Sequence, residues 1–319
     1  MLQGLKVFAL RKFYRAFSAR GWRGRLPSTG AGENLSLPGP DGQLPARFYA
    51  GAHHRDRPLI LYFHGGGWVI GDLDTHDAFC RVLSELSGCS VLSVAYRLAP
   101  EHPYPAAQDD ALAALAWLAG GSAGLSAPGN GNVIVAGDSA GAHLACCTCL
   151  DAGASERAAI SGCMLIYPVC DHYSSLPPSY VERARGHKLT SRLMVWFWDT
   201  YLAGADADAA DSTRALPLHS PRLDGLPPTF LVTCEYDPLR DEGRELGAKL
   251  EAAGVALDYR HYDRASHGFA CSEGPNDDCL SLLADLANWI EALASPTTLS
   301  PTTLSPATVS PAASGGHHA

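Results

Sequence analysis

The chain has 319 residues, of which 46% are hydrophobic and 18% are charged, so it contains enough apolar side chains for a sizeable core. This composition excludes a chain that is disordered throughout. The formal net charge of −9, from 24 basic and 33 acidic residues, predicts that nucleic acid is not a partner and makes the chain as a whole a poor candidate for an anionic membrane surface.

No run of 18 or more apolar residues occurs, which argues against stable membrane insertion and favours a soluble protein. The first residues lack the long apolar region and the cleavage site of a secretory signal. Ten cysteines are scattered without the spacing of a disulfide framework, so we expect a cytoplasmic location. Cys147 and Cys149 have no second ligand pair at zinc spacing, and we therefore predict no metal site.

The chain begins with an amphipathic helical pattern. Leu5, Ala9, Phe13 and Phe17 recur at helical spacing, and residues 1–25 hold seven basic side chains and no acid. Such a helix could lie on a membrane surface or direct the chain to an organelle, or it could pack its apolar stripe on its own protein. We favour packing.

After this helix, short apolar runs alternate with helical stretches, which is typical of a mostly parallel sheet with helices on both faces. The predicted strands are 59–63, 90–95, 133–136, 160–167, 229–234 and 257–262, and the predicted helices are 75–87, 106–119, 140–152, 240–253 and 278–293. Residues 171–215 break the alternation and are interpreted as a lid. We expect residues 1–294 to form one α/β domain, and the Ser/Pro/Thr-rich residues 295–319, which end in a tag-like SGGHHA, to be disordered.

A G-x-S-x-G pattern, Gly137 to Gly141, stands between a predicted strand and a predicted helix. In this context the glycines permit a sharp turn that presents the serine above the sheet, so Ser139 is the predicted nucleophile. The neighbouring Asp138 is expected to bond backbone near the glycine loop described next.

A glycine-rich segment, HGGGW from His64 to Trp68, follows the first predicted strand of the alternating pattern. Amides without side chains can point at one small volume, and we predict an oxyanion hole from Gly65, Gly66, Gly67 and Ala140. A flexible loop or a phosphate cradle is the alternative, but no Lys-Ser/Thr pair follows and the G-x-G-x-x-G spacing is absent. His64 is expected to brace the loop.

A serine nucleophile needs a base and an orienting acid, which follow it along the chain in this pattern. Asp237 and His267 each stand just beyond a predicted strand, where sites of α/β sheets form. Asp241 and Glu242 are rival acids, but they fall inside the next predicted helix. We therefore predict a triad of Ser139, Asp237 and His267.

The chain resembles the hormone-sensitive-lipase-like carboxylesterases of the α/β-hydrolase fold, bacterial family IV, over roughly residues 34–293. The resemblance is carried by HGGGWVIGDLDTHD (64–77), YRLAPEHPYPAA (96–107), GDSAGAHLA (137–145), LIYP (165–168), EYDPLRDEG (235–243) and SHGF (266–269). It implies ester hydrolysis through an acyl-enzyme without a metal or organic cofactor. It also implies a cap formed by residues 1–33 and about 171–215.

These features predict a serine carboxylesterase that hydrolyses short-to-medium acyl esters of small molecules. A non-catalytic protein that binds small molecules on the same fold is the alternative, which the survival of His267 disfavours. Trp68 is the aromatic side chain to which we assign a substrate-binding role. The sequence leaves open whether the chain forms a homo-oligomer.

Overall fold

The computed structural model describes residues 2–23, 30–121, 124–204 and 214–294. Most of the strands in this part are followed by a helix. The strands are β1 (Glu33–Gly39), β2 (Gly42–Tyr49), β3 (Leu59–Phe63), β4 (Val91–Val94), β5 (Val133–Asp138), β6 (Ile160–Ile166), β7 (Thr229–Tyr236) and β8 (Leu257–Ser266). The helices are α1 (Leu2–Gly21), α2 (Asp77–Ser87), α3 (Ala106–Ala119), α4 (Ala140–Asp151), α5 (Ala154–Ala159), α6 (Pro178–Glu182), α7 (Ser191–Tyr201), α8 (Arg240–Ala252) and α9 (Asp277–Ala294).

The strands form a sheet in the order β1-β2-β4-β3-β5-β6-β7-β8. The pairs from β4 to β8 are parallel, whereas β1 pairs with β2 and β2 with β4 in antiparallel fashion. The predicted α/β class, with a mostly parallel central sheet, is confirmed. β3, β4 and β5 are buried along their whole length because helices cover both faces of the sheet.

Two apolar cores lie on opposite faces of the sheet, since side chains alternate along each strand. Leu61 and Phe63 belong to the core under α3, α4 and α8, whereas Ile60 and Tyr62 belong to the core under α2 and α9. The sheet is thus a rigid platform between two helical layers, and its carboxyl edge is where the loops of the site begin.

The first two strands were not predicted from the sequence. β1 and β2 contain Pro38 and Pro45, which weaken a strand pattern because proline cannot donate to the ladder. The turn between them holds Pro40-Asp41-Gly42, a signal for a hairpin that the sequence did offer.

The orientation of α1 corrects the predicted apolar stripe. Leu5 and Phe13 are both 67% exposed, whereas Val7 is 1% exposed and faces the core. Hydrogen bonds from Arg11 to the carbonyls of Val69 and Ala99 fix this rotation of the helix. The helix does pack on its own protein, but through a face other than the predicted one.

Between β6 and β7 the chain forms α6, α7 and short 3₁₀ turns in place of a strand–helix repeat. This is the segment interpreted as a lid, and its residues 205–213 lie outside the described part, as do residues 295–319. Within the described residues, no helix is long and apolar enough to cross a membrane.

Candidate functional site

The three residues predicted to form a triad follow three strands of the same sheet. Ser139 comes directly after β5, Asp237 directly after β7, and His267 directly after β8. Because these strands are parallel, their carboxyl ends lie along one edge of the sheet. Residues that are 128 positions apart in the chain therefore meet in space.

Ser139 has a left-handed backbone, with φ 56° and ψ −121°, a conformation that costs free energy for a residue with a side chain. The turn is possible because Gly137 and Gly141 have no Cβ; a Cβ at either position would overlap neighbouring backbone. The Ser139 amide donates to the Ile166 carbonyl at 2.9 Å, which ties the turn to β6. The result is a serine side chain held above the sheet at the start of α4.

Hydrogen bonds connect the three side chains. His267 Nε2 lies 2.9 Å from Ser139 Oγ, and His267 Nδ1 lies 2.7 Å from Asp237 Oδ2. The Leu239 amide donates to Asp237 Oδ1 at 2.9 Å and orients the carboxylate. Ser139 and His267 remain 8% and 9% exposed, so both are nearly closed off from water yet still reachable. The structure thus brings the hydroxyl, the imidazole and the carboxylate of the three predicted residues together at hydrogen-bond distances.

The rival acids lie elsewhere. Asp241 pairs with Arg240 and accepts a hydrogen bond from the Ser179 amide. Glu242 is buried and accepts from the Cys170 amide at 2.8 Å, and burial raises the pKa of its carboxyl well above the usual range. Their hydrogen bonds join α8 to the segment after β6.

Asp138 binds the glycine loop, as the sequence analysis expected. Its Oδ1 accepts hydrogen bonds from the Gly65 amide and the Tyr62 hydroxyl, both at 2.8 Å, and lies 3.2 Å from His76 Nε2. Burial by itself raises the pKa of this carboxyl, but the net pKa is lowered because His76 and these hydrogen bonds favour the carboxylate. The Gly65 amide is therefore committed to Asp138, which conflicts with the predicted role of Gly65 as an oxyanion donor.

The other predicted oxyanion donors are the amides of Gly66, Gly67 and Ala140. Gly66 and Gly67 have φ of 126° and 58°, and the Gly66 carbonyl accepts from the amide of Ile70 at 2.9 Å. A Cβ on Gly67 would overlap the ring of Phe197, which α7 places against the loop. Ala140 is the first residue of α4, so its amide has no acceptor within the helix.

His64 braces the loop, as predicted. Its ring stacks on Tyr96 at 4.4 Å, and its carbonyl accepts a hydrogen bond from the Tyr96 hydroxyl at 2.6 Å. Burial lowers the pKa of His64 to about 4, so the ring is neutral at pH 7.

The predicted substrate-binding role of Trp68 is not compatible with its place in the structure. Trp68 is 0% exposed and stacks on Tyr201 at 4.3 Å, with Trp198 at 4.6 Å. Its indole N–H donates to His143 Nδ1, and burial lowers the pKa of His143 to about 4. Trp68 joins the glycine loop to α7 and α4, and contact with a substrate would require this cluster to open.

One group in the described part of the chain has the residue types and spacing of a metal site. Ligand atoms of His76, Asp138 and Cys271 lie within 4.8 Å of one another. Asp138 already accepts hydrogen bonds from Gly65 and Tyr62, and the Cys271 thiol lies 3.5 Å from the Tyr62 hydroxyl. We assign the group to support of the glycine loop. The absence of a metal and of a cofactor stays a prediction.

Sequence reasoning assigned no role at this site to three residues that contact it. Tyr62 and His76 contact Asp138, and Phe197 contacts Gly67. The inward position of Tyr62 could have been inferred from strand alternation. His76 and Phe197 come from other elements, and no local pattern assigns them to the loop.

Comparisons with known proteins identify relatives of this chain in sequence and in fold. A profile of the α/β-hydrolase fold family matches residues 60–271. The carboxylic ester hydrolase LipN of Mycobacterium tuberculosis is 41% identical over 242 residues, covering 74% of this chain and 63% of LipN. An ethyl acetate hydrolase of Pseudomonas putida is 37% identical and covers 74% of each chain.

Among solved structures, an esterase of Pyrobaculum calidifontis superimposes with a TM-score of 0.83 at 35% identity. The superposition covers 90% of this chain and 94% of that esterase. The chain spans slightly less than two thirds of LipN, but it spans nearly the whole of this structural relative.

Proposed function

The chain belongs to the hormone-sensitive-lipase-like branch of the α/β-hydrolase family, and from this premise we propose that it is a serine carboxylesterase acting on short-to-medium acyl esters of small molecules. The observation that carries the proposal is the continuous hydrogen-bonded series from Ser139 through His267 to Asp237. Carboxylesterase activity also agrees with the names of the relatives.

In the proposed mechanism, Ser139 Oγ attacks the ester carbonyl carbon while His267 Nε2 accepts the hydroxyl proton. Asp237 accepts the hydrogen bond from His267 Nδ1–H, which fixes the tautomer and stabilises the imidazolium that forms. The protonated His267 then gives its proton to the departing alkoxide oxygen. Water attacks the acyl-enzyme by the same route and releases the acid.

We propose that the amides of Gly66, Gly67 and Ala140 donate hydrogen bonds to the carbonyl oxygen and stabilise the negative charge that develops on it. Gly65 is left out of this set, because its amide binds Asp138. Donors of this kind act without reorganisation, since the backbone is already held in place by neighbouring contacts. Gly65 and Asp138 are accordingly positioning residues for the other two glycines.

A limit on acyl length is supported by the elements above the site. Phe197 of α7 packs on Gly67, and the nucleophile and base are each less than a tenth exposed. One relative is an ethyl acetate hydrolase. We propose that α1 and the described helices between residues 171 and 204 form a cap over this edge of the sheet.

Hydrolysis of p-nitrophenyl acetate, butyrate, octanoate and palmitate tests the proposal. We expect activity to peak at the shorter chains, and Ser139→Ala and His267→Ala each to lower kcat by at least about 10⁴-fold. Asp237→Asn is compared with Asp241→Asn, its matched control on α8. The first should lose about 10³-fold or more because the wrong tautomer is held, and the second should keep most of its activity.

A protein that binds these esters without hydrolysing them would contradict the proposal and favour the ligand-binding alternative. Equal losses in Asp237→Asn and Asp241→Asn would remove Asp237 from its assigned role.

A further inference from the structure

The face of α1 that points away from the protein is apolar and basic at once. Leu5 is 67% exposed, Phe8 55% and Phe13 67%, and these three belong to the large apolar side chains exposed in the described part of the chain. With about 3.6 residues per turn, the exposed positions fall on one side of the helix. We call this side the outer face of α1; it comprises Leu5, Lys6, Phe8, Ala9, Lys12, Phe13, Ala16 and Arg20.

Contacts on the opposite side keep this face outward. Val7 and Ser18 are buried, and Arg11 donates to the Val69 and Ala99 carbonyls. Arg15 pairs with Asp72 at 2.8 Å. Because these contacts fix the rotation of the helix, the phenylalanines cannot turn inward without breaking them.

The outer face carries positive charge without a neighbouring acid on the helix. Lys6, Lys12 and Arg20 form no ion pair with any described residue, and the segment Leu2–Gly21 contains no Asp or Glu. Lys12 Nζ lies 4.6 Å above the Phe8 ring, so cation and aromatic ring are presented together. By contrast, Arg11 and Arg15 are neutralised by Glu101 and by Asp72 with Asp74.

The local charge counts for more here than the net charge of −9. Charges farther than about 8 Å are largely screened at physiological ionic strength. The acidic residues that produce the net charge therefore repel an anionic surface at this helix only weakly. The exceptions are acids as close as those that already pair with Arg11 and Arg15.

We infer that the outer face of α1 docks on an anionic lipid surface, with the helix lying in the interface. Phe8, Phe13 and Leu5 would enter the boundary between headgroups and acyl chains, while Lys6, Lys12 and Arg20 bind the phosphate groups. A second copy of the chain is a poorer occupant, because a two-fold contact would bring the same cations against each other. This inference concerns where the protein binds and stands independently of the proposed ester hydrolysis.

Co-sedimentation with vesicles tests it directly. We expect binding to phosphatidylcholine vesicles that contain phosphatidylglycerol, little binding to phosphatidylcholine alone, and a decrease as salt is added. Lys12→Gln should weaken binding to the mixed vesicles about fivefold, and removing Lys6 and Arg20 as well should weaken it about a hundredfold.

The apolar part is tested with the triple variant Leu5→Gln, Phe8→Gln, Phe13→Gln, which should lower vesicle binding at least about tenfold. The matched control is Leu86→Gln, Val181→Gln, Leu280→Gln, which removes three exposed apolar side chains from other helices. The control should bind like the parent protein. Thermal unfolding should be unchanged in both variants, so that a change in vesicle binding does not result from a loss of folded structure.

No binding of the parent protein to the mixed vesicles would overturn the inference, as would equal losses in the two triple variants. So would a dimer in size-exclusion chromatography that the Phe8 and Phe13 substitutions abolish. Because hydrolysis is measured on a soluble ester, an inactive protein that still binds vesicles would contradict only the proposed function.

Discussion

Asp138 is a buried carboxylate that holds the glycine loop on which the proposed mechanism depends. It stands beside the nucleophile in the chain, and its Oδ1 accepts from the Gly65 amide of the glycine loop. Tyr62 and His76 hold it from the side of β3 and α2. The loop with Gly66 and Gly67 and the turn that holds Ser139 are thereby fixed relative to each other.

Asp138→Asn should lower kcat about 10- to 100-fold with KM changed less than about threefold, since the loop amides are displaced where charge develops in the transition state. Steady-state kinetics on p-nitrophenyl butyrate measures this separation. The control is Asp110→Asn, a buried carboxylate that pairs with Arg97 instead. We expect Asp110→Asn to reduce stability while kcat stays near the parent value. A loss of stability in Asp138→Asn without a change in kcat would contradict the positioning role.

At the scale of elements, α1 and α7 are both attached to the glycine loop and the residues around it. Arg11 of α1 binds the carbonyls of Val69 and Ala99, and Phe197 of α7 packs on Gly67. Trp68 stacks on Tyr201 of α7. The segments outside the strand–helix alternation therefore help to shape the loop that the proposed mechanism depends on.

Arg11→Met should lower the free energy of unfolding by about 1–3 kcal/mol, because two backbone carbonyls and Glu101 lose their donor. Lys12→Met is the matched control, since the neighbouring Lys12 points away from the protein; its effect should stay within about 0.5 kcal/mol. Urea denaturation followed by tryptophan fluorescence measures both. If the two variants unfold at the same urea concentration, Arg11 does not hold α1.

At the scale of the whole molecule, two buried histidines link stability to pH. Burial lowers the pKa of His64 and of His143 from 6.5 to about 4. Above pH 6.5 both rings are neutral in the folded and in the unfolded chain, so they add no pH dependence. Between pH 6.5 and about 4 only the unfolded chain takes up these protons, and stability falls as the pH falls.

Each of the two histidines should remove at most about 3 kcal/mol of unfolding free energy across this range. Glu242, whose pKa is raised by burial, changes stability in the opposite direction. His143→Gln isolates one contribution: the variant should be less stable at pH 7 but lose stability less steeply on acidification. Urea denaturation at several pH values measures the slope. Parallel slopes for the variant and the parent protein would contradict the assignment.

The strands of the parallel core and the break in the strand–helix alternation after β6 were predictable from the sequence. Strand β3 and helix α3 begin and end at the predicted residues, because apolar runs and helical periods are local signals. The hairpin of β1 and β2 was not predictable in the same way, since its prolines obscure the alternation and its place depends on pairing with β4.

The sequence by itself determined which residues could supply the chemistry. Ser139, Asp237 and His267 were identifiable because each has a side chain suited to its proposed role and follows a strand whose carboxyl end lies at the same edge. Only the tertiary structure decided how the neighbouring groups are used. It commits the Gly65 amide to Asp138, buries Trp68 under Tyr201 and turns Phe13 of α1 outward. These outcomes depend on contacts between residues far apart in the chain, which local sequence patterns do not encode.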